Sequence, residues 1–124
     1  PRVGAARGRL VAENIYACED IIEKPSADVA RRRLVSPGLA PDRYLAHGGI
    51  YVFSPEIFDC LRELSYADRP AGDELQLTAA QQLLLARRPG ECLLTTIAGR
   101  CLDCGSPDSY ADAFEAVRHA PRRT

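Results

Sequence analysis

The chain has 124 residues, of which 46% are hydrophobic and 27% charged, the make-up of one folded domain that can bury roughly two thirds of its unfolded surface. A formal net charge of -1 excludes the basic excess on which non-specific nucleic-acid binding depends. No apolar run approaches the roughly 20 residues of a membrane-spanning helix, so neither a nucleic acid nor a membrane is expected as a partner.

Five cysteines, an odd number whose spacing resembles no compact disulfide framework, predict reduced thiols. The start "PRVGAARGRLV" lacks the apolar stretch of a signal peptide, and a cytoplasmic location is expected. There is no methionine and residue 1 is proline, so the sequence is expected to be either a chain whose initiator and leader have been removed or a piece of a longer protein.

In chain order, "NIYACEDIIEK" (residues 14–24) alternates in the manner of a strand and ends at Pro25. Ser26 can cap a short helix, "ADVARRR", whose three arginines read as a solvated helix end, as the arginine-rich C-terminal tail reads as a frayed terminus. "SPGLAPDR" (residues 36–43) is a loop, and "YLAHGGIYVF" (residues 44–53) is expected to be a largely buried strand. Ser54-Pro55 then opens a helix with Ile57, Phe58, Leu61 and Leu64 on one face. After a loop with Pro70 and Gly72, "LQLTAAQQLLLARR" is helical up to Pro89-Gly90. "ECLLTTI" is a further strand, Gly99 a turn, and Ser106-Pro107 starts a last helix with Tyr110, Phe114 and Val117 on its apolar face. Strands alternating with helices of about ten residues predict a single α/β domain over residues 1–124, built on a mixed or parallel sheet flanked by helices.

Three stretches can carry chemistry. Cys101 and Cys104 form a Cys-x-x-Cys pair, but zinc takes four ligands and His47 and His119 sit in unrelated elements. A thioredoxin-like pair would open a helix. Buried thiols serving as small apolar residues are the plainer reading. Asp103, between the two cysteines, falls between a strand and a helix, where open α/β sheets place their ligands. It can hold a hard cation that bridges phosphates, or merely cap the helix.

In "EDIIEKP", Glu23 and Lys24 end a strand. A carboxylate can accept sugar hydroxyls while an ammonium neutralises a phosphate. Adjacent strand residues face opposite ways, so both serve one site only if the strand end twists. The alternative is a solvated ion pair. In "GDELQLTAA", Glu74 and Thr78 can be plain polar residues of a helix's first turn.

"DIIEKP", "GGIYVFSPEIFDCL", "GDELQLTAA" and "GRCLDCGSPDSYADAF", in that order, resemble the C-terminal half of the sugar-1-phosphate nucleotidyltransferases, above all the bacterial UTP:glucose-1-phosphate uridylyltransferase group. The resemblance covers the chain from about residue 3 to 117 and implies the C-terminal portion of a Rossmann-like nucleotidyltransferase fold. It implies that Glu23 holds the sugar hydroxyls, Lys24 the sugar phosphate, and Gly4 of "RVGAA" lays its backbone against the sugar ring. Asp103 matches the family's C-terminal Mg²⁺ ligand, which makes Lys24 and Asp103 the catalytic pair. The implied substrates are UTP and glucose 1-phosphate, and the implied products UDP-glucose and pyrophosphate.

The family's N-terminal glycine-rich nucleotide loop and its first magnesium aspartate are missing from this chain, so the chain alone is expected to be inactive. Ala79 stands where the family usually has an aspartate, which mildly favours a second reading, a non-catalytic relative with a regulatory or assembly role. The insertion "RRRLVSPGLAPDRYLAH" favours the uridylyltransferase group. Half a sheet exposes an edge and a core face, so homo-oligomeric self-association is expected.

Overall fold

The computed structural model describes residues 3–66, 74–102 and 104–119. The expected loop through Pro70 and Gly72, the arginine-rich tail beyond residue 119, and Asp103 lie outside the described residues.

β1 (Ala5–Ala12) and β2 (Ile15–Ile22) form an antiparallel hairpin whose two-residue turn places Asn14 at φ 61°, a left-handed conformation that asparagine tolerates. β1 was not among the expected elements, because "AARGRLVA" has little of the β-branched and aromatic content that marks strands. Its register shifts between Arg7, opposite Asp20, and Gly8, opposite Cys18, which leaves Glu19 as a bulge. Gly8 is required there: a Cβ would lie 2.8 Å from Tyr16 Cβ and 2.9 Å from the Ala17 carbonyl oxygen. β3 (Leu45–Ala46) adds to β1, and β4 (Leu93–Thr95) adds to β2, giving the order β3-β1-β2-β4.

The α/β class expected from the sequence is the one observed, but the described strand pairs are all antiparallel where a mixed or parallel sheet was expected. The physical reason is the hairpin. A two-residue turn joins only antiparallel neighbours, whereas parallel ones need a long crossover.

Alternation along β1 sends Ala5 to one face and Ala6 to the other. Ala5 packs with Ala30 and Leu34 under α1 (Ala27–Arg33), which Ser26 caps by accepting from Val29 N at 3.2 Å. Two of the three arginines at the end of α1 are in ion pairs: Arg33 forks onto Asp20, with Nη2 2.9 Å from Oδ2, and Arg32 pairs with Asp28. Ala6 packs with Tyr16, Cys18, Ile21 and Leu45 on the opposite face, against Leu85 and Leu94. Beside this cluster, α2 (Glu56–Tyr66) and α3 (Leu77–Arg87) pack through Ile57, Cys60, Ala80 and Leu84. Arg88 Nε donates to Glu56 at 3.0 Å across the same pair of helices.

Phe58, expected on the buried face of α2, is exposed, because it sits about 100° around the helix from Ile57. The expected buried strand over residues 44–53 is paired only at Leu45–Ala46. Beyond the end of this ladder Gly49 takes φ 76°, and Ile50 and Val52 are 78% and 96% exposed. α4 (Pro107–Arg118) starts as expected, with Ser106 and Ser109 exchanging hydrogen bonds in a reciprocal capping box. Its apolar face of Tyr110, Phe114 and Val117 is exposed among the described residues. No helix among the described residues is long and apolar enough to cross a membrane.

Candidate functional site

Glu23 lies one residue beyond the end of β2 and is half-buried. The first turn of α3 meets it, and the Thr78 hydroxyl donates to Glu23 Oε2 at 2.5 Å. Thr78 is buried, and its hydroxyl is committed to this carboxylate. A carboxylate at a helix N-terminus is also favoured by the unpaired amides there. On the far side stands Gly4, which is buried. A Cβ on Gly4 would come within 2.9 Å of His47 Nδ1 and 3.1 Å of Glu23 Oε2, so only glycine leaves these two side chains room. The Gly4 carbonyl accepts from His47 N at 2.9 Å, which extends the β1–β3 pairing and fixes His47 beside Glu23.

His47 Nδ1 and the Tyr51 hydroxyl are hydrogen-bonded at 3.2 Å, and Tyr51 stacks on Phe53. Burial lowers the His47 pKa below its ordinary value, with the Glu23 charge acting in the opposite sense. Burial raises the Tyr51 hydroxyl above its ordinary value, the Glu23 charge adds to this, and a side-chain hydrogen bond with Gln81 opposes it. Thr78, Glu23, His47, Tyr51 and Gln81 therefore form one linked polar cluster, with Gly4 beside Glu23 and His47. His47, Tyr51 and Gln81 line a groove of about 980 Å³, which also reaches Arg43, Arg100 and Cys101.

Lys24 is exposed and takes φ 42°, a left-handed backbone that costs a bulky residue on the order of 1 kcal/mol or more. The backbone therefore turns directly after Glu23. Lys24 has no hydrogen bond or ion pair among the described residues, and Pro25 behind it is buried.

Asp103 lies outside the described residues. Cys101 and Cys104, expected to be buried packing groups, are both exposed and free, as Arg100 and Gly105 beside them are exposed too. Among the described residues no three His, Cys, Asp or Glu side chains converge as a metal site.

The structure thus brings Gly4 and Glu23 together and adds four residues that the sequence reading left out of the site: His47, Tyr51, Thr78 and Gln81. The signal for Thr78 was its place in "GDELQLTAA"; that for His47 and Tyr51 was a polar and an aromatic side chain flanking Gly48-Gly49. Gln81 had no signal beyond its helical spacing of three from Thr78.

Residues 7–120 match the family described as Nucleotidyl transferase. The chain is 29% identical over 112 residues to UTP--glucose-1-phosphate uridylyltransferase of Pseudomonas aeruginosa, a match covering 90% of this chain and 34% of that protein. It is 32% identical over 119 residues to the protein of the same name from Haemophilus ducreyi, covering 94% of this chain and 35% of that one. A crystal structure of UDP-glucose pyrophosphorylase complexed with UDP-glucose superposes with a TM-score of 0.70 and 26% identity, over 94% of this chain and 38% of that one. The chain spans about a third of the length of the curated relatives it matches. With the family match running over nearly its whole length and the fold in agreement, the chain belongs to the nucleotidyl transferase family.

Proposed function

We propose that this chain is the sugar-phosphate-binding part, corresponding to the C-terminal half, of an enzyme that transfers a uridylyl group from UTP to glucose 1-phosphate. The observation that carries the reading is the Glu23 carboxylate, held by Thr78 beside a glycine that leaves no side chain in the way. One oxygen of Glu23 accepts from Thr78, and the remaining acceptor capacity is available to sugar hydroxyls. The relatives' names and the UDP-glucose complex support the same substrate class.

In the reaction, a phosphate oxygen of glucose 1-phosphate attacks the α-phosphorus of UTP. The new P–O bond forms as the bond to pyrophosphate breaks, and the products are UDP-glucose and pyrophosphate. Such a displacement asks for positioning and charge neutralisation more than for a nucleophile or general base of the protein's own. Glu23 and Gly4 orient the sugar, and Lys24, free of other partners among the described residues, supplies positive charge to its phosphate.

Asp103 would hold Mg²⁺, a cation that prefers carboxylate, phosphate and water oxygens and needs few protein ligands. When bound, the ion neutralises phosphate charge. The rest of its shell would come from the first magnesium aspartate that the resemblance implies for the full-length enzyme, the nucleotide and water. A cytoplasmic site of action and a homo-oligomeric state belong to the same proposal.

The chain alone is expected to be inactive, so the test uses the protein at its full natural length, supplied with UTP, glucose 1-phosphate and Mg²⁺. Release of pyrophosphate with formation of UDP-glucose supports the proposal. No turnover of any sugar 1-phosphate with any nucleoside triphosphate overturns it in favour of the non-catalytic reading, to which Ala79 lends its support.

A further inference from the structure

Gln81 is only 6% exposed and sits on the same face of α3 as Thr78, three residues further on. Its Oε1 is buried and has no hydrogen-bond partner among the described residues, although the side chain lines the groove beside His47 and Tyr51. A buried carbonyl oxygen without a donor is costly, and native structures leave few of them. Its near neighbours leave the acceptor unsatisfied. Thr78 is committed to Glu23, and the Tyr51 hydroxyl is engaged with His47 and meets Gln81 through the amide nitrogen, whose donated hydrogen bond lowers the Tyr51 pKa and leaves Oε1 unpaired. Gln82, the next residue, turns the other way and donates to the Ile21 carbonyl at 2.6 Å.

We infer that Gln81 is a specificity-determining residue, whose Oε1 accepts a hydrogen bond from one hydroxyl of the bound sugar. The inference rests on the sugar-phosphate reading above and deepens it. Glu23, bound by Thr78, and Gln81, one helical turn further along α3, would then be two acceptors that read a sugar by two hydroxyl donors at separate positions. A sugar lacking the hydroxyl that faces Gln81 leaves the buried oxygen unpaired, and sites built to bond a hydroxyl reject such analogues strongly.

The test uses the protein at its full natural length and the set of monodeoxy glucose 1-phosphates, lacking the 2-, 3-, 4- or 6-hydroxyl in turn. For the wild type, kcat/KM should fall about 10-fold or more for the analogue that leaves Gln81 unpaired. Gln81→Met keeps the side chain's length and removes its polarity. In this variant glucose 1-phosphate should lose about 10-fold, and the penalty for that one deoxy analogue should vanish while the penalties for the others persist.

If Gln81→Met lowers kcat/KM equally for every analogue, or for none, the residue is structural and the inference fails. That outcome leaves the proposed function standing so long as the wild type uses glucose 1-phosphate and Glu23→Gln impairs it. A wild type that uses no sugar 1-phosphate overturns both.

Discussion

The Thr78 hydroxyl donates to Glu23 Oε2 at 2.5 Å, joining residues 55 positions apart in sequence. The contact ties the end of β2 to the first turn of α3. A charge-assisted hydrogen bond in a half-buried setting holds a carboxylate in one orientation without neutralising it, and leaves its other lone pairs open to a ligand.

Replacing Thr78 with valine keeps the shape and deletes the donor. Thr78→Val should cost about 1 to 3 kcal/mol of stability and weaken glucose 1-phosphate binding about 10-fold. Thr78→Ser, which keeps the hydroxyl, should stay close to wild type in both. Urea unfolding and titration calorimetry measure the two effects, and equal behaviour of the valine and serine variants would contradict the assigned contact.

Two glycines should respond differently to the same methyl group. In Gly8→Ala the new Cβ meets Tyr16 Cβ at 2.8 Å and the Ala17 carbonyl at 2.9 Å, atoms fixed to the hairpin backbone. A loss of about 1 to 3 kcal/mol or more is expected. In Gly4→Ala it meets the ends of His47 and Glu23, side chains that can swing aside. That variant should unfold nearer the wild-type midpoint and yet bind glucose 1-phosphate poorly. The opposite order of stabilities would contradict the account.

His47 gives the stability a pH dependence. Burial lowers its folded pKa below the unfolded value of 6.5, so below that pH the unfolded chain binds the proton more readily than the folded one. The contribution is therefore fully present above 6.5 and is lost as the pH falls toward the folded pKa. The Glu23 charge opposes the shift and limits its size. Denaturant unfolding at about pH 7.5 and about pH 5.5 should show a smaller drop for His47→Gln than for wild type. Identical drops would show that His47 titrates as it does in the unfolded chain.

The thiols should divide into two classes. Cys101 and Cys104 are exposed, whereas Cys60 and Cys18 are buried, and burial, with the Cys92 charge next, pushes the Cys18 thiol up to about 11. Alkylation of the native protein near pH 8, read by mass spectrometry, should modify Cys101 and Cys104 first, with Cys18 and Cys60 following only on unfolding. Labelling of Cys18 at the rate of Cys101 would contradict the described packing.

Much of the fold was legible because local chemistry decided it. Ser26 and Ser106 cap the helices they were expected to cap, and the alternation of "IYACEDII" made β2 plain. What was not legible depended on distant partners. β1 owes its existence to pairing with β2 rather than to its own alanines and glycine, and missing it concealed the antiparallel hairpin. The apolar residues around Ile50 and Val52 read as a buried strand, yet only Leu45 and Ala46 find a ladder. In the candidate site, Glu23 and Gly4, which the structure places side by side, were singled out by motif resemblance. Thr78, His47, Tyr51 and Gln81 were not, because contacts across dozens of residues have no short-range pattern. The two cysteines that looked like packing turned out to be exposed.

In the proposed reaction Glu23 orients the sugar phosphate for nucleotidyl transfer. The most direct measurement is steady-state kinetics of UDP-glucose formation by the protein at its full natural length and by its Glu23→Gln variant, with each substrate varied in turn. In the variant kcat/KM for glucose 1-phosphate should fall by about 100-fold or more, with KM for UTP little changed. Equal kcat/KM for glucose 1-phosphate in the two proteins would contradict that role.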